Sequence, residues 1–174
     1  AASQALMTIP AGMGWLDAAA FPNVFITAHD ALVSNAGLQP GETVLVNAAA
    51  SGVALAAWRI ALALGATRVI GTTRSAEKAA RLRALGLETI DLSQQDQVEQ
   101  VRLLTADRGV DVVIDAVGGT VLDANLRSMA IRGRLVNLAR MGAAKAELDM
   151  EMLWLKRLHL IGATFRTRSE AERL

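Results

Sequence analysis

The chain has 174 residues, of which 52% are hydrophobic and 20% charged, and its 18 basic and 17 acidic side chains leave a net charge of +1. This length is typical of one domain, and the near-neutral charge offers no field that would attract nucleic acid or an anionic membrane. The chain has no cysteine, which excludes disulfides and cysteine-based zinc or iron–sulfur sites. No run approaches the roughly 20 apolar residues of a membrane span, so we expect a soluble, cytoplasmic domain.

Residues 1–42 are predicted to form a helical lead-in to the first strand. Two helices, Asp17–Phe21 and Val24–Asn35, are expected on either side of Pro22, because proline interrupts the hydrogen-bond ladder of a helix. No linker or shift in composition divides the chain. We therefore expect a single domain over residues 1–174.

From Thr43 onward, short β-rich runs alternate with longer alanine-rich helical stretches. The predicted strands are Thr43–Ala48, Arg68–Thr72, Thr89–Asp91, Val110–Asp115, Arg134–Asn137 and Leu158–Ala163. The predicted helices between them are Gly52–Leu64, Ala76–Leu85, Gln97–Leu104 and Val121–Met129. Several strands are apolar nearly throughout, as strands covered on both faces must be. The alternation predicts an α/β fold with a doubly wound, parallel, six-stranded sheet between two helical layers, the Rossmann fold.

The first strand passes into its helix through a turn of small residues at positions 47–54. Backbone N–H groups of Ser51, Gly52 and Val53 are expected to face a bound pyrophosphate, with the positive end of the helix behind them. Measured against the glycine-rich dinucleotide fingerprint the turn is degenerate, because Ala54 and other small residues stand where glycines are usual. The alternative interpretation is a turn whose small residues only pack the helix on the strand.

The second strand ends beside two basic residues. An NAD-binding fold presents an acid to the ribose hydroxyls about 20 residues after the first turn. Here Arg74 and Lys78 occupy that place, with Thr72 among the nearby hydroxyl donors. A 2′-phosphate needs charge-assisted donors and is repelled by a carboxylate, so the pattern favours NADP(H) over NAD(H). The alternative is that both cations are merely solvated at a helix start.

Other chemistries find little support. His29 and His159 lack a spacing that would bind metal, so no metal site is predicted. Asp115 follows a buried strand and is expected to cap nearby N–H groups rather than act as a catalytic acid. The absence of tyrosine excludes the Tyr-x-x-x-Lys mechanism of short-chain dehydrogenases. A methyltransferase is compatible with the predicted fold, but the two basic residues after the second strand give it no support. No catalytic residue is predicted in this chain.

Several segments, taken in order and at their spacing, carry a family resemblance. They are Ile9-Pro10, Ala18–Pro22, Thr27–Leu32, Leu38–Val46, Ala49–Val53 and Asp115–Gly119. The chain resembles the cofactor-binding domain of the medium-chain dehydrogenase/reductase superfamily, and within it the zinc-independent quinone oxidoreductase branch. The resemblance implies hydride transfer between NADPH and a small-molecule acceptor, a quinone or an α,β-unsaturated carbonyl.

The resemblance also implies roles for individual residues. It assigns the pyrophosphate to Ser51, Gly52 and Val53, and the 2′-phosphate to Arg74 and Lys78. The residues implied near the ribose and nicotinamide are Thr27, Val117, Leu138 and Phe165.

Further expectations concern zinc, the rest of the enzyme and association. Zinc-dependent relatives carry a cysteine ligand in the segment that matches Phe21–Val24, where this chain has Asn23, so no zinc is expected. Family members have an N-terminal catalytic domain before this segment and more structure after it, so the chain alone is expected to be inactive. A homodimer is expected through the edge strand Leu158–Phe165, as in relatives. Two alternatives stay open: a zinc-type alcohol dehydrogenase-like domain, or a non-catalytic nucleotide-binding or assembly module.

Overall fold

The computed structural model describes residues 7–173, which form a parallel sheet covered by helices on both faces. The strands are β1 (Thr43–Val46), β2 (Arg68–Thr73), β3 (Glu88–Asp91), β4 (Val110–Asp115), β5 (Met129–Asn137) and β6 (His159–Gly162). They lie in the order β3-β2-β1-β4-β5-β6, and every neighbouring pair is parallel. The predicted doubly wound, six-stranded α/β sheet is confirmed.

The helices form the two outer layers of the fold. They are α1 (Trp15–His29), α2 (Gly52–Ala63), α3 (Ala76–Ala84), α4 (Gln97–Leu104), α5 (Leu122–Ser128), α6 (Met150–Lys156) and the short α7 (Glu170–Arg173). A π-helical segment, Asp30–Asn35, continues α1, and a 3-10 turn, Gly119–Val121, precedes α5. In the part of the chain that the structure describes, no helix is both long and apolar enough to span a membrane.

Strand β1 shows how the sheet divides the core in two. Val44 and Val46 pack on the face covered by α1, α2 and α3, whereas Leu45 packs on the opposite face with residues of α4 and α5. All four residues of β1 are buried, because side chains alternate between two covered faces. Strand β1 is therefore apolar at every position except Thr43, and the buried polar residue Asn47 follows directly after its carboxyl end.

The prediction of two helices separated at Pro22 is wrong. Helix α1 runs without a break from Trp15 to His29, with Pro22 inside it. Proline removes one helical hydrogen bond, but contacts on both sides of it hold the helix together. The rings of Phe21 and Phe25 stack with centroids 4.0 Å apart, and the next turn of α1 packs closely on α2.

The ends of two strands differ from the predicted ones because of the local backbone geometry. β1 ends at Val46 rather than Ala48, because Ala48 has a positive φ of 51° and turns the chain. β5 begins five residues earlier than predicted, at Met129, and its register with β4 shifts between Val110 and Val112. Such irregularities cannot be read from hydrophobic patterns, because they depend on the neighbouring strand.

Helix α6 was not predicted from the sequence. It begins after Asp149, whose carboxylate accepts a hydrogen bond of 2.9 Å from the Met152 N–H. Near its other end the Lys156 ammonium donates to three carbonyls at the end of α5 and the start of β5, those of Leu126, Arg127 and Met129. The aspartate cap is a sequence signal for this helix, but the contact with α5 that anchors it is long-range.

Asp111 forms a charge cluster at the amino end of the sheet. Its carboxylate accepts a 2.8 Å hydrogen bond from the Thr43 N–H and a 2.7 Å bond from Arg108. Burial raises the pKa of Asp111, but these hydrogen bonds and the charges of Arg108 and Arg134 outweigh it, so the pKa lies below its ordinary value. Asp111 thus stabilises the fold in its charged form.

We expect Asp111→Asn to lower the free energy of unfolding at pH 7 by about 1–3 kcal/mol, the range for a lost charged hydrogen bond. A carboxyl whose pKa is depressed in the folded state contributes fully above its unfolded pKa, near 3.9, and loses that contribution as the pH falls through the folded value. The difference between wild type and variant should therefore shrink below about pH 4 in urea unfolding. Asp107→Asn, at an exposed ion pair with Arg102, is the control; an equal effect there would contradict the assignment.

Position 71 in β2 requires glycine because neighbouring residues pack closely against its backbone. A Cβ atom placed on it would lie 2.6 Å from the Ala49 Cβ and 2.9 Å from Leu87 Cδ2. Residue 49 belongs to the segment that leaves β1, so this segment packs directly on the backbone of β2. Any side chain at position 71 would lift it away.

We expect Gly71→Ala to destabilise the chain by about 1–3 kcal/mol, as overpacking of a well-filled core does. The matched control is Gly162→Ala in β6, where an added Cβ meets nothing within 4 Å. Thermal unfolding of both variants gives the comparison. Equal melting temperatures for the two would show that the Ala49 contact does not constrain position 71.

Candidate functional site

The carboxyl ends of the parallel strands bring most of the predicted site residues to one edge of the sheet. The order of the strands reverses between β1 and β4, and ligands of open α/β sheets bind at such a switch point. The residues at this edge come from the segments that follow β1, β2, β4 and β5, and they include Ser51, Arg74, Val117 and Leu138. We call this edge the strand-end site.

The segment after β1, residues 47–51, presents fewer N–H groups than expected. The Ser51 N–H donates to the Ala48 carbonyl at 2.9 Å, so this group is used within the turn, and its contact with a ligand stays a prediction. The Ser51 hydroxyl oxygen caps α2 by accepting from the Ala54 N–H at 3.3 Å. Within residues 7–173 the N–H groups of Gly52 and Val53 have no acceptor. These two groups and the Ser51 hydroxyl proton are available to an anion.

Gly52 also has a packing role. A Cβ atom on it would lie 3.0 Å from Val24 Cγ1, so the glycine lets α1 cross close to the beginning of α2. This supports the interpretation that small residues are needed here for packing. It does not compete with ligand binding, because the Gly52 N–H stays free.

Helix α2 differs from α1 and from α3 to α6 in the charge of its first turn. An acidic residue lies in the first turn of α1 and of each helix from α3 to α6, namely Asp17, Glu77, Glu99, Asp123 and Glu151. The first turn of α2 has none. Acidic side chains normally compensate the positive end of a helix, and here that end is left for an external anion.

Two exposed cations lie beside this helix end. Arg74 follows β2 directly, and Lys78 lies in the first turn of α3, whose N-cap is Ser75. The intervening Glu77 is paired with Arg81 at 2.8 Å and does not neutralise them. Neither Arg74 nor Lys78 has a carboxylate partner in the described part of the chain. Two unpaired cations lie where the 2′-phosphate is predicted.

Thr72 differs from these exposed cations in its burial. Its side chain is buried, and its hydroxyl oxygen accepts a hydrogen bond of 3.2 Å from the Asn47 amide. Direct contact between Thr72 and a phosphate stays a prediction. The structure shows that this threonine connects the ends of β1 and β2.

Asp115 organises the segment after β4 as expected of a capping residue. Its carboxylate accepts hydrogen bonds from the N–H groups of Val117 at 2.7 Å and Gly118 at 3.1 Å. The Asn137 amide donates to its other oxygen at 3.2 Å. These bonds satisfy the buried charge and hold the turn against the end of β5.

The segments after β4 and β5 pair with each other. The Gly142 N–H donates to the Val117 carbonyl at 2.8 Å, and the Gly119 N–H donates to the Ala143 carbonyl at 2.8 Å. At Gly119 a Cβ atom would lie 2.2 Å from a backbone oxygen. Only glycine fits there, so the paired glycines of the sequence serve a close contact between loops.

Two predicted residues come from elements other than the segments that follow β1, β2, β4 and β5. The Thr27 hydroxyl, on α1, donates to the Asn23 carbonyl at 2.7 Å. Phe165 lines a cavity of about 540 Å³ with Phe21, Phe25 and Ile60, three residues that were not predicted to bind cofactor. Contact of Thr27 or Phe165 with a ribose or nicotinamide stays a prediction.

Asn47 is a residue of the site that the sequence analysis missed. It is 1% exposed, lies between β1 and Ala48, and bonds to Thr72 and to Asn125 of α5. A single amide at the end of an otherwise apolar strand is the signal that could have identified it, because buried amides need partners. Its partners themselves are not visible in the sequence.

No cluster of three or more histidine, aspartate or glutamate side chains in residues 7–173 is arranged to hold a metal ion. Asn23, the residue at the expected cysteine position, lies exposed on α1. The expectation of no zinc stays a prediction.

Comparison with known proteins identifies the family. Residues 52–174 match the family described as zinc-binding dehydrogenase. The chain is 37% identical over 158 residues to mouse quinone oxidoreductase-like protein 2, covering 90% of this chain and 45% of that protein. It therefore spans less than half the length of that relative.

Solved structures agree with this result. The structure of a mycobacterial protein complexed with NADPH superposes with a TM-score of 0.81 at 33% identity, covering 90% of this chain and 49% of that one. The CurK enoyl reductase gives a TM-score of 0.76 at 32% identity, covering 91% and 47%. The chain belongs to the zinc-binding dehydrogenase family, as a cofactor-binding domain of the quinone oxidoreductase-like branch of the medium-chain dehydrogenase/reductases.

Proposed function

We propose that this chain is the NADP(H)-binding part of an oxidoreductase that transfers a hydride between NADPH and a quinone or α,β-unsaturated carbonyl. The observation that carries the proposal is the pair of unpaired cations, Arg74 and Lys78, beside the uncompensated end of α2. The acceptor classes rest on the relatives, one named a quinone oxidoreductase-like protein and one an enoyl reductase.

The donor groups of the strand-end site form two sets, and each set fits a different phosphate group of NADP(H). The free N–H groups of Gly52 and Val53, with the Ser51 hydroxyl, suit the pyrophosphate, since they combine backbone donors with the positive end of a helix. Arg74 and Lys78 suit the 2′-phosphate, which a carboxylate would repel. When bound, the cofactor supplies the hydride.

The remaining residues of the edge would orient and enclose the cofactor. Val117 and Leu138 are half-buried where the segments after β4 and β5 pair. The hydrogen bonds of Asp115 hold them in position, so they form a fixed apolar surface. We propose that the ribose and nicotinamide half of the cofactor lies against this surface, where apolar contact excludes water. No zinc ligand is proposed, since Asn23 replaces the cysteine of zinc-dependent relatives.

The acceptor pocket belongs to the rest of a longer enzyme in this proposal. The chain spans 45% of the mouse relative, and large apolar side chains of α1 are left uncovered. Trp15 is 83% and Leu16 88% exposed, and Phe21 is also exposed. Apolar area of this kind normally meets another surface, and we propose that it meets the remainder of the enzyme.

We expect the chain to bind NADPH more tightly than NADH in calorimetric titration. Arg74→Ala combined with Lys78→Ala should weaken NADPH binding by about 10- to 100-fold, because it removes charged hydrogen bonds to the 2′-phosphate. NADH binding should change by less than about twofold, since NADH lacks that phosphate.

Arg59→Ala is the control for lost positive charge. Arg59 is exposed on α2, where its guanidinium lies 4.2 Å from the centre of the Trp58 ring. Equal affinities of the wild type for NADPH and NADH would contradict the phosphate assignment. An absence of any NADPH-induced rise in melting temperature would favour a non-catalytic module, since a ligand of the folded state must stabilise it.

We also propose a homodimer through β6. The strand is at the edge of the sheet and pairs only with β5 in the described structure. Leu160 on this strand is partly exposed, and Trp154 and Leu155 of the neighbouring α6 are largely exposed. Open backbone groups beside apolar side chains make this edge suited to pairing with a second copy.

Leu160→Lys should shift the chain from dimer to monomer in sedimentation velocity, because it places a charge in the proposed contact. The matched control is Leu85→Lys, a similarly exposed leucine at the end of α3 on the other side of the sheet. A wild type that remains monomeric at high concentration would contradict the dimer.

A further inference from the structure

A chain of buried polar side chains runs beneath the strand-end site. The Asn47 amide donates to the Thr72 hydroxyl at 3.2 Å, and the Asn125 amide donates to the Asn47 oxygen at 2.9 Å. The Gln97 amide donates to the Asn125 oxygen at 3.0 Å and to the Ser128 hydroxyl at 3.3 Å. All five side chains are at most 4% exposed. We call them the amide network.

The hydrogen bonds of the amide network run in one direction. Asn47 and Asn125 each donate from the NH₂ group to one neighbour and accept at the oxygen from another, whereas the Gln97 NH₂ group donates to both Asn125 and Ser128. The Gln97 oxygen has no partner in residues 7–173. Turning the Gln97 amide over would bring its oxygen against the Asn125 oxygen, so the orientation is maintained although one buried acceptor is unsatisfied. Asn47 is therefore held from both ends.

Asn47 connects the two anion subsites of the proposed function. It begins the 47–51 segment that leads to the free N–H groups of Gly52 and Val53. Its partner Thr72 lies two residues before Arg74. The Ala49 N–H strengthens the connection by donating to the Thr72 carbonyl at 2.9 Å. The connection thus joins the start of the pyrophosphate subsite to the start of the 2′-phosphate subsite.

We propose that Asn47 is a positioning residue that sets the separation between these two subsites. This inference rests on the proposed NADP(H) function. Asn47 is itself 1% exposed and acts through Thr72, not by touching the ligand. Its other bond, from Asn125, keeps its amide turned toward Thr72. A ligand that bridges both subsites depends on their separation, whereas a ligand that occupies one of them does not.

Affinities for three nucleotides can distinguish a positioning role of Asn47 from a general effect on stability. 2′,5′-ADP carries a phosphate for each subsite, whereas 2′-AMP and 5′-AMP each carry one. Calorimetric titration of the full chain gives the affinity for each. The bridging advantage is the ratio of the 2′,5′-ADP affinity to the 2′-AMP affinity, and the same ratio is taken with 5′-AMP.

We expect Asn47→Ala to reduce the bridging advantage by about tenfold, the effect of losing roughly one well-placed hydrogen bond. Its affinities for 2′-AMP and 5′-AMP should change by less than about twofold, a spread within the effect of a fraction of such a bond. The matched control is Ser128→Ala at the far end of the amide network, which removes a buried hydroxyl without contacting Asn47. It should lower the melting temperature and leave the bridging advantage unchanged.

Asn125→Ala gives a second, independent measurement. It keeps the Asn47 side chain but removes the donor to its oxygen, so it should reduce the bridging advantage in the same direction. If Asn47→Ala does not fold, as judged by its melting transition without ligand, the Asn125→Ala ratio decides the question.

Two failures are distinguishable. An unchanged bridging advantage in the Asn47→Ala or Asn125→Ala variant, with wild-type binding intact, would overturn the positioning role. A wild type that binds none of the three nucleotides would overturn the proposed function itself. An equal loss of affinity for all three nucleotides would show that the amide network has only a structural role.

Discussion

The strand-end site depends on the close packing of the 47–51 segment against β2. Gly71 leaves no room for a side chain because the Ala49 Cβ would lie 2.6 Å from any Cβ placed there. The Ala49 N–H and the Asn47 amide both bond to Thr72, so one backbone and one side-chain contact fix the same point. Helix α2 begins directly after this segment, and the place of its free N–H groups follows from the contact.

Charge is distributed around the site so that its cations are left free. Two acids near the site already have partners: Glu77 pairs with Arg81, and Asp115 accepts from the backbone of its own loop. The net charge of +1 does not reveal this arrangement, because it sums all the basic and acidic side chains, most of which cancel one another. A phosphate responds to the local field at close range, where unpaired cations and helix ends act together.

The fold was largely predictable because most of its strands, including all of β1, are covered on both faces. Apolar runs such as Val112, Val113 and Ile114 in β4 predict such strands directly, and their alternation with helices predicts parallel pairing. Elements that depend on distant contacts were not predictable. Pro22 stays inside α1 because of packing with α2, and α6 is anchored by Lys156 on carbonyls of other elements. Local propensity carries no information about either contact.

The candidate site shows the same division. The small residues after the first strand and the cations after the second predict an anion site from the sequence, but the hydrogen bonds that organise these segments are not visible in it. A glycine at position 48 would adopt the positive φ of 51° at little cost, whereas Ala48 must be held there. Bonds from Asn47 and Ala49 to β2 supply that restraint. A degenerate glycine fingerprint is therefore compatible with a formed phosphate site, because tertiary hydrogen bonds can fix a turn that glycine would only permit.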